Sequence, residues 1–126
     1  MPQTVKDMIA LADAEVPRIT PAEAKALVAT ENAVVVDVRD SAELAAGGKV
    51  KGALHIPRGS LEFKADDTTS YHDKNLSRDR PVILYCAAGS RAALAGKALK
   101  DMGYKRVFNL GGFKDWVQAG EPVDPA

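Results

Sequence analysis

Cysteine is nearly absent from this chain: Cys86 is the only one in 126 residues. That excludes an internal disulfide and any metal site built from several thiolates. Net charge is absent as well, with 17 basic side chains against 17 acidic ones, so the charge balance gives no reason to expect nucleic acid or an anionic membrane surface as a partner. No run approaches the ~20 consecutive apolar residues that span a bilayer. The stretch from Met1 to Pro17 mixes charges and has no apolar core of the signal-peptide kind. No internal repeat or low-complexity tract is present. The expectation is a cytoplasmic protein with neither nucleic acid nor membrane as a partner, in which Cys86 stays a free thiol.

What is present is an ordinary globular composition, 46% hydrophobic and 27% charged, at the length of one domain. A domain of this size buries roughly two thirds of its unfolded surface and needs no covalent staple. Val5, Met8, Ile9, Ala12 and Val16 recur at helical spacing, and Thr4 with Asp7 three residues on resembles a capping box. This helix ends before Pro17 and packs on the main body or on a second copy. Arg18-Ile19 is a short extended piece. Thr20-Pro21-Ala22-Glu23 opens a second helix, with Thr20 as N-cap, Pro21 at the first helical position and Glu23 closing a capping box.

The run 33–38 is β-branched with no polar alternation, which predicts a strand buried on both faces, as in a parallel sheet. A short helix is expected over 41–46, stopped by Gly47-Gly48. A short strand follows over 53–56, one or two helical turns over 60–65, and a polar surface loop without apolar period over 66–80. The run 81–85 predicts another buried strand, 90–102 a helix and 106–109 a final strand. Gly111-Gly112 then turns into a last helix carrying Phe113, Trp116 and Val117, and 121–126 is a proline-rich tail. Gly96 in mid-helix costs about 1 kcal/mol against alanine unless close packing requires it.

Strands alternating with helices imply right-handed crossovers and an α/β fold whose parallel sheet is covered on both faces. Ligands in such folds bind beyond the carboxyl ends of the strands. Residues 37–40, 57–60 and 86–91 all fall at that edge. Cys86 ends a strand there, and a helix begins near Ser90. A free thiol has a pKa near ~8.5 and is a poor nucleophile until ionised. The positive end of the helix favours the thiolate. So does a compact loop of Ala87, Ala88 and Gly89 that turns backbone N–H groups inward, with Arg91 adding a fixed positive charge. A lone cysteine after a strand is commonly just a small buried hydrophobe; the glycine, the helix start and the arginine at fixed spacing point instead to nucleophilic chemistry.

Other polar residues at the edge have structural readings beside functional ones. Asp37 and Arg39 are secondary candidates that read better as structural, Arg39 pairing with Glu43 one helical turn away. Arg58 follows Pro57 and is a further candidate to face the pocket. His55 reads as packed and hydrogen-bonded, His72 as solvated, Trp116 as core, and Lys97, Lys100 and Lys105 as a solvated face.

Several motifs occur in order: Asp37-Val38-Arg39 with Glu43, Gly52-Ala53 before Ile56-Pro57, Cys86-x-x-Gly89-x-Arg91, Leu110-Gly111-Gly112 with Trp116, and Gly120-x-Pro122-Val123. By this set the chain resembles a single-domain rhodanese, of the sulfurtransferase family. The match runs from about Pro17 to Val123, leaving residues 1–16 as an N-terminal helical extension to a domain over 17–126. The resemblance implies a three-layer α/β/α fold with a five-stranded parallel sheet. It implies that Cys86 takes the outer sulfur of a small sulfur-containing anion such as thiosulfate, becomes a persulfide and passes the sulfur to a thiol or cyanide, with neither metal nor organic cofactor. The substrate loop is then Ala87, Ala88, Gly89, Ser90 and Arg91. A related reading is a persulfide relay or binding module serving a protein sulfur acceptor. Rhodanese-like phosphatases and arsenate reductases carry five residues between Cys and Arg; here four intervene, a ring suited to sulfur rather than to a tetrahedral anion. Two departures stand out. Gly48-Lys49-Val50 replaces the family's Gly-His-Ile, and Ala87 and Ala88 carry no charge, which leaves Arg91 and Arg58 to attract the donor.

Overall fold

The computed structural model describes residues 2–125. Helices α1 (Val5–Glu15) and α2 (Pro21–Glu31) precede strand β1 (Val34–Asp37) and helix α3 (Ser41–Gly47). Strands β2 (Lys49–Val50) and β3 (Leu54–His55) lead through a 3-10 turn (Arg58–Ser60) to α4 (Leu61–Ala65). Then come β4 (Val82–Cys86), α5 (Ser90–Asp101), β5 (Val107–Gly112), α6 (Phe113–Gln118) and β6 (Val123–Asp124). Both first helices are started by reciprocal capping boxes, Thr4 with Asp7 and Thr20 with Glu23.

The parallel sheet runs β3-β1-β4-β5. Its central strands are apolar on both faces because each face meets a layer of helices. Val34, Val36, Val82, Leu84 and Cys86 join the core shared with α4 and α5, while Val35, Ile83 and Tyr85 join the core with Ala24 of α2 and Trp116 of α6. The three-layer α/β/α architecture is as expected, but the sheet has four strands rather than five. The fifth position is reduced to a single parallel bridge between Arg18 and Asn109. The reason is local: Thr20 caps α2 and Pro21 starts it, so the extended piece ends after Ile19 donates to Asn109 O at 3.0 Å.

Three other stretches differ from the sequence reading. The tail is not free: β6 pairs antiparallel with β2, and Asp124 accepts from Gly52 N–H at 2.8 Å. Two-residue strands have no period to betray them. Strand β5 runs on through Gly112, because a bulge after Asn109 lets Gly111 and Gly112 stay paired with Tyr85 and Cys86. The polar loop over 66–80 is tied down by Leu76, fully buried, and by His72, half-buried and bonded through Nε2 to Leu76 O at 2.9 Å rather than solvated. Lys97 is likewise paired, to Glu15 and Asp101. Helix α1 packs on α5. Gly96 makes the contact possible: a Cβ there would stand 2.8 Å from Val16 Cγ1, closer than real side chains approach.

Candidate active site

Cys86 is the last residue of β4, at the carboxyl edge of the sheet, and is 1% exposed. The next two residues, Ala87 and Ala88, are exposed, and Gly89 turns the chain with φ +109° into α5. A side chain is strained at that angle. The turn aims Gly89 N–H at Cys86 Sγ, 3.0 Å away. Among the described residues this is the backbone hydrogen bond to the sulfur, so the cradle holds the thiol by one donor rather than several. Ser90 is exposed and starts the helix, and Arg91 lies in its first turn.

Arg91 does not stand free. Its guanidinium makes a two-pronged pair with Glu43 of α3, Nη1–Oε1 2.8 Å and Nη2–Oε2 3.0 Å. Glu43 Oε1 also accepts from Asp40 N at the start of α3. The arginine hydrogen bond, opposed by partial burial, lowers the Glu43 carboxyl from 4.5 to about 2. Arg91 in turn is held above its ordinary value, first by the Glu43 bond against the cost of burial. The sequence reading gave Glu43 to Arg39; the partner is Arg91, brought from 48 residues away by the α3 and α5 layers meeting at the edge.

Asp37 and Arg39 sit on the other face of the sheet from Cys86. Asp37 is fully buried and accepts from Arg39 Nη2 at 2.7 Å, from Arg39 N at 2.9 Å and from Tyr85 Oη at 2.5 Å. Arg39 also donates to Gly48 O at 2.8 Å and lies over the Phe113 ring, 4.4 Å from its centroid. Tyr85 Oη accepts from Val50 N at 2.9 Å. Burial first, then the bond to Asp37, hold the Tyr85 hydroxyl well above its ordinary pKa, so it stays a donor. Arg58 is paired with Glu62 at 2.8 Å and lines a groove between α1 and α5 with Met8 and Leu94. No hydrogen bond or ion pair joins its side chain to the Cys86 loop among the described residues. His55 is hydrogen-bonded, as expected, to Arg39 O at 2.7 Å.

One residue that braces the loop was missed. Asn109, fully buried on β5, donates through Nδ2 to Gly89 O at 3.0 Å, and its Oδ1 accepts from Gly111 N at 2.8 Å. The second bond is the side-chain-to-backbone turn that asparagine favours, so Asn109-Leu110-Gly111 was the available signal.

Residues 20–119 match the model of the Rhodanese-like domain. The thiosulfate sulfurtransferase GlpE of Actinobacillus succinogenes is 37% identical over 110 residues, 86% of this chain and 90% of the relative. A sulfurtransferase of Allochromatium vinosum is 34% identical over 75% of this chain and 80% of its own. Among solved structures, the polysulfide-sulfur transferase homodimer of Wolinella succinogenes superposes with a TM-score of 0.77 at 33% identity, covering 96% of this chain and 87% of that one. A Rhodopseudomonas palustris protein of unknown function, described as a possible tyrosine phosphatase, superposes with a TM-score of 0.87 at 38% identity, covering 98% and 99%. With the family model spanning most of its length and its loop standing at the carboxyl edge of the sheet, the chain belongs to the rhodanese-like family as a rhodanese-type sulfurtransferase.

Proposed function

We propose that Cys86 carries sulfur as a persulfide between a small sulfane donor and a thiol or cyanide acceptor. The observation that carries this reading is the Gly89 N–H held 3.0 Å from Sγ in a loop with four residues between Cys86 and Arg91. That N–H fixes the sulfur at the mouth of the loop and stays within donor reach of it through both half-reactions. The thiolate attacks the outer sulfur of thiosulfate. The new S–S bond forms as the old one breaks, and sulfite leaves with the electron pair. The loop then holds a persulfide anion. An acceptor thiolate or cyanide attacks its terminal sulfur, and the Cys86 thiolate is restored. Two half-reactions through a covalent intermediate give ping-pong kinetics. Ala87 and Ala88 leave the mouth open and uncharged, which suits an acceptor thiol on a small molecule or on a partner protein. Asn109 and the Glu43–Arg91 pair act as positioning groups for the loop, and the Asp37–Arg39–Tyr85 cluster as scaffold. Thiosulfate and cyanide supply the test. Thiocyanate forms with the wild-type protein and not with Cys86→Ser; thiocyanate at an equal rate from the variant, or none from the wild type, overturns the reading.

The description of the Rhodopseudomonas protein favours a second reading, hydrolysis of a phosphate monoester. The short loop argues against it, since a tetrahedral anion needs the wider ring. Turnover of an aryl phosphate, lost in Cys86→Ser, would establish it.

A further inference from the structure

Every arginine close to the reacting loop except one is spoken for. Arg91 is neutralised by Glu43, Arg58 by Glu62 and Arg39 by Asp37. Arg80 has no carboxylate partner, but it bonds Asn32 O and Asn75 O beside Pro81, at the far end of β4. Arg18 is different. It is exposed, and among the described residues its side chain makes no hydrogen bond and no ion pair.

Its position is nonetheless defined. The backbone is pinned on both sides, with Asn109 N donating to Pro17 O at 2.9 Å and Ile19 N to Asn109 O at 3.0 Å. The guanidinium then lies over two glycines. A Cβ on Gly89 would stand 2.9 Å from Arg18 Nη1, and a Cβ on Gly111 would meet Nη2 and stand 3.2 Å from Cζ. Both glycines have positive φ, +109° and +91°, so neither position admits a side chain in comfort and the guanidinium rests against bare backbone. Gly89 is the residue whose N–H holds Cys86 Sγ at 3.0 Å. By covalent geometry the cation therefore lies within about 8.5 Å of the sulfur, roughly one Debye length at physiological salt.

We infer that Arg18 is the cation that receives the anionic end of the sulfur donor, the part that Ala87 and Ala88 cannot play. This rests on the persulfide reading above for what the anion is, but the charge argument stands on geometry alone. A dianionic donor such as thiosulfate places its sulfur toward Cys86 and its sulfonate oxygens toward the mouth, where the unpaired guanidinium over Gly89 offers an uncompensated positive charge. An exposed cation of this kind acts through diffuse attraction and one or two forked hydrogen bonds. Because Arg18 holds nothing within the chain, its replacement leaves the loop intact, and the effect falls on donor use.

The test has two arms. In steady-state transfer to cyanide, Arg18→Gln raises the KM for thiosulfate by about fivefold, the scale of one exposed charge contact, with kcat unchanged. Arg18→Lys recovers most of the loss. The wild-type kcat/KM falls as sodium chloride is raised, and the fall is flatter in Arg18→Gln. In the second arm thiosulfate is titrated calorimetrically into Cys86→Ser and into Cys86→Ser with Arg18→Gln, which measures anion binding without turnover. An equal affinity in that pair, or an unchanged KM with an unchanged salt slope in the first arm, overturns the role of Arg18. If Arg18 governs binding in the second arm while the wild type transfers no sulfur, the persulfide reading fails and the anion site stands.

Discussion

Two carboxylate–arginine pairs flank the carboxyl edge of the sheet, and they differ first in burial. In Asp37–Arg39 the side chains are 0% and 5% exposed; in Glu43–Arg91 they are 32% and 35% exposed. The first pair is wrapped by Tyr85, Phe113 and Gly48 O on the face opposite the thiol. The second closes α3 onto the first turn of α5, next to Cys86. The same two charges therefore do different work. A buried pair cannot lose one member cheaply, because the other is left as an uncompensated charge out of water. A half-exposed pair is solvated once broken, so it adds little to stability and matters through the geometry it enforces.

Arg39→Leu probes the contrast most strongly. Stranding Asp37 is expected to cost about 3–5 kcal/mol, read from urea denaturation midpoints; a loss below about 1 kcal/mol would remove the distinction between the pairs. Tyr85→Phe comes next. It leaves the buried Val50 N–H without its acceptor and takes one donor from Asp37 Oδ2, which keeps Arg39 Nη2, and is expected to cost about 1–3 kcal/mol in the same assay, with the Cys86 loop unaffected. Glu43→Gln should cost less than about 1 kcal/mol near neutral pH, yet lower kcat/KM for sulfur transfer by about tenfold, roughly 1.4 kcal/mol of transition-state stabilisation. A variant that loses stability and activity in equal measure would make this pair scaffold too.

The acid limb sharpens the same variant. The Glu43 carboxyl is depressed from 4.5 to about 2 by its bond to Arg91. A depressed carboxyl contributes stability above its unfolded pKa and loses it as pH falls through its folded one. The wild type should therefore lose this contribution between about pH 4.5 and 2. Glu43→Gln has no such contribution to lose. Thermal midpoints of the two proteins, measured from neutral pH downward, should differ by a constant amount above about pH 5 and converge toward pH 2; parallel curves throughout would mean the pair carries no linked proton.

What was legible in the sequence was local. The capping boxes at Thr4 and Thr20, the buried runs at 33–38 and 81–85, and the loop from Cys86 to Arg91 each declare themselves within a few residues. The partners that organise the site do not. Glu43 was assigned to Arg39 because near neighbours are the pairs that spacing reveals, whereas Arg91 and Tyr85 each reach across 48 residues to their carboxylates. Arg58 was a candidate to face the pocket because it follows Pro57, but spacing did not reveal that Glu62 one turn on engages its guanidinium. The β2–β6 pair joins two segments too short to show alternation, and Leu76 is a single apolar side chain whose burial no pattern announces. Arg18 lay in a dipeptide read only as extended chain, and its place over Gly89 and Gly111 follows from the bulge in β5.

The central claim is that the thiol at the end of β4 is the sulfur carrier. Intact-mass spectrometry after incubation with thiosulfate and removal of the excess tests it most directly. The expected result is one added sulfur atom on the wild type, none on Cys86→Ser, and loss of the adduct when cyanide is added. An unmodified wild type, or an adduct that survives in Cys86→Ser, would contradict it.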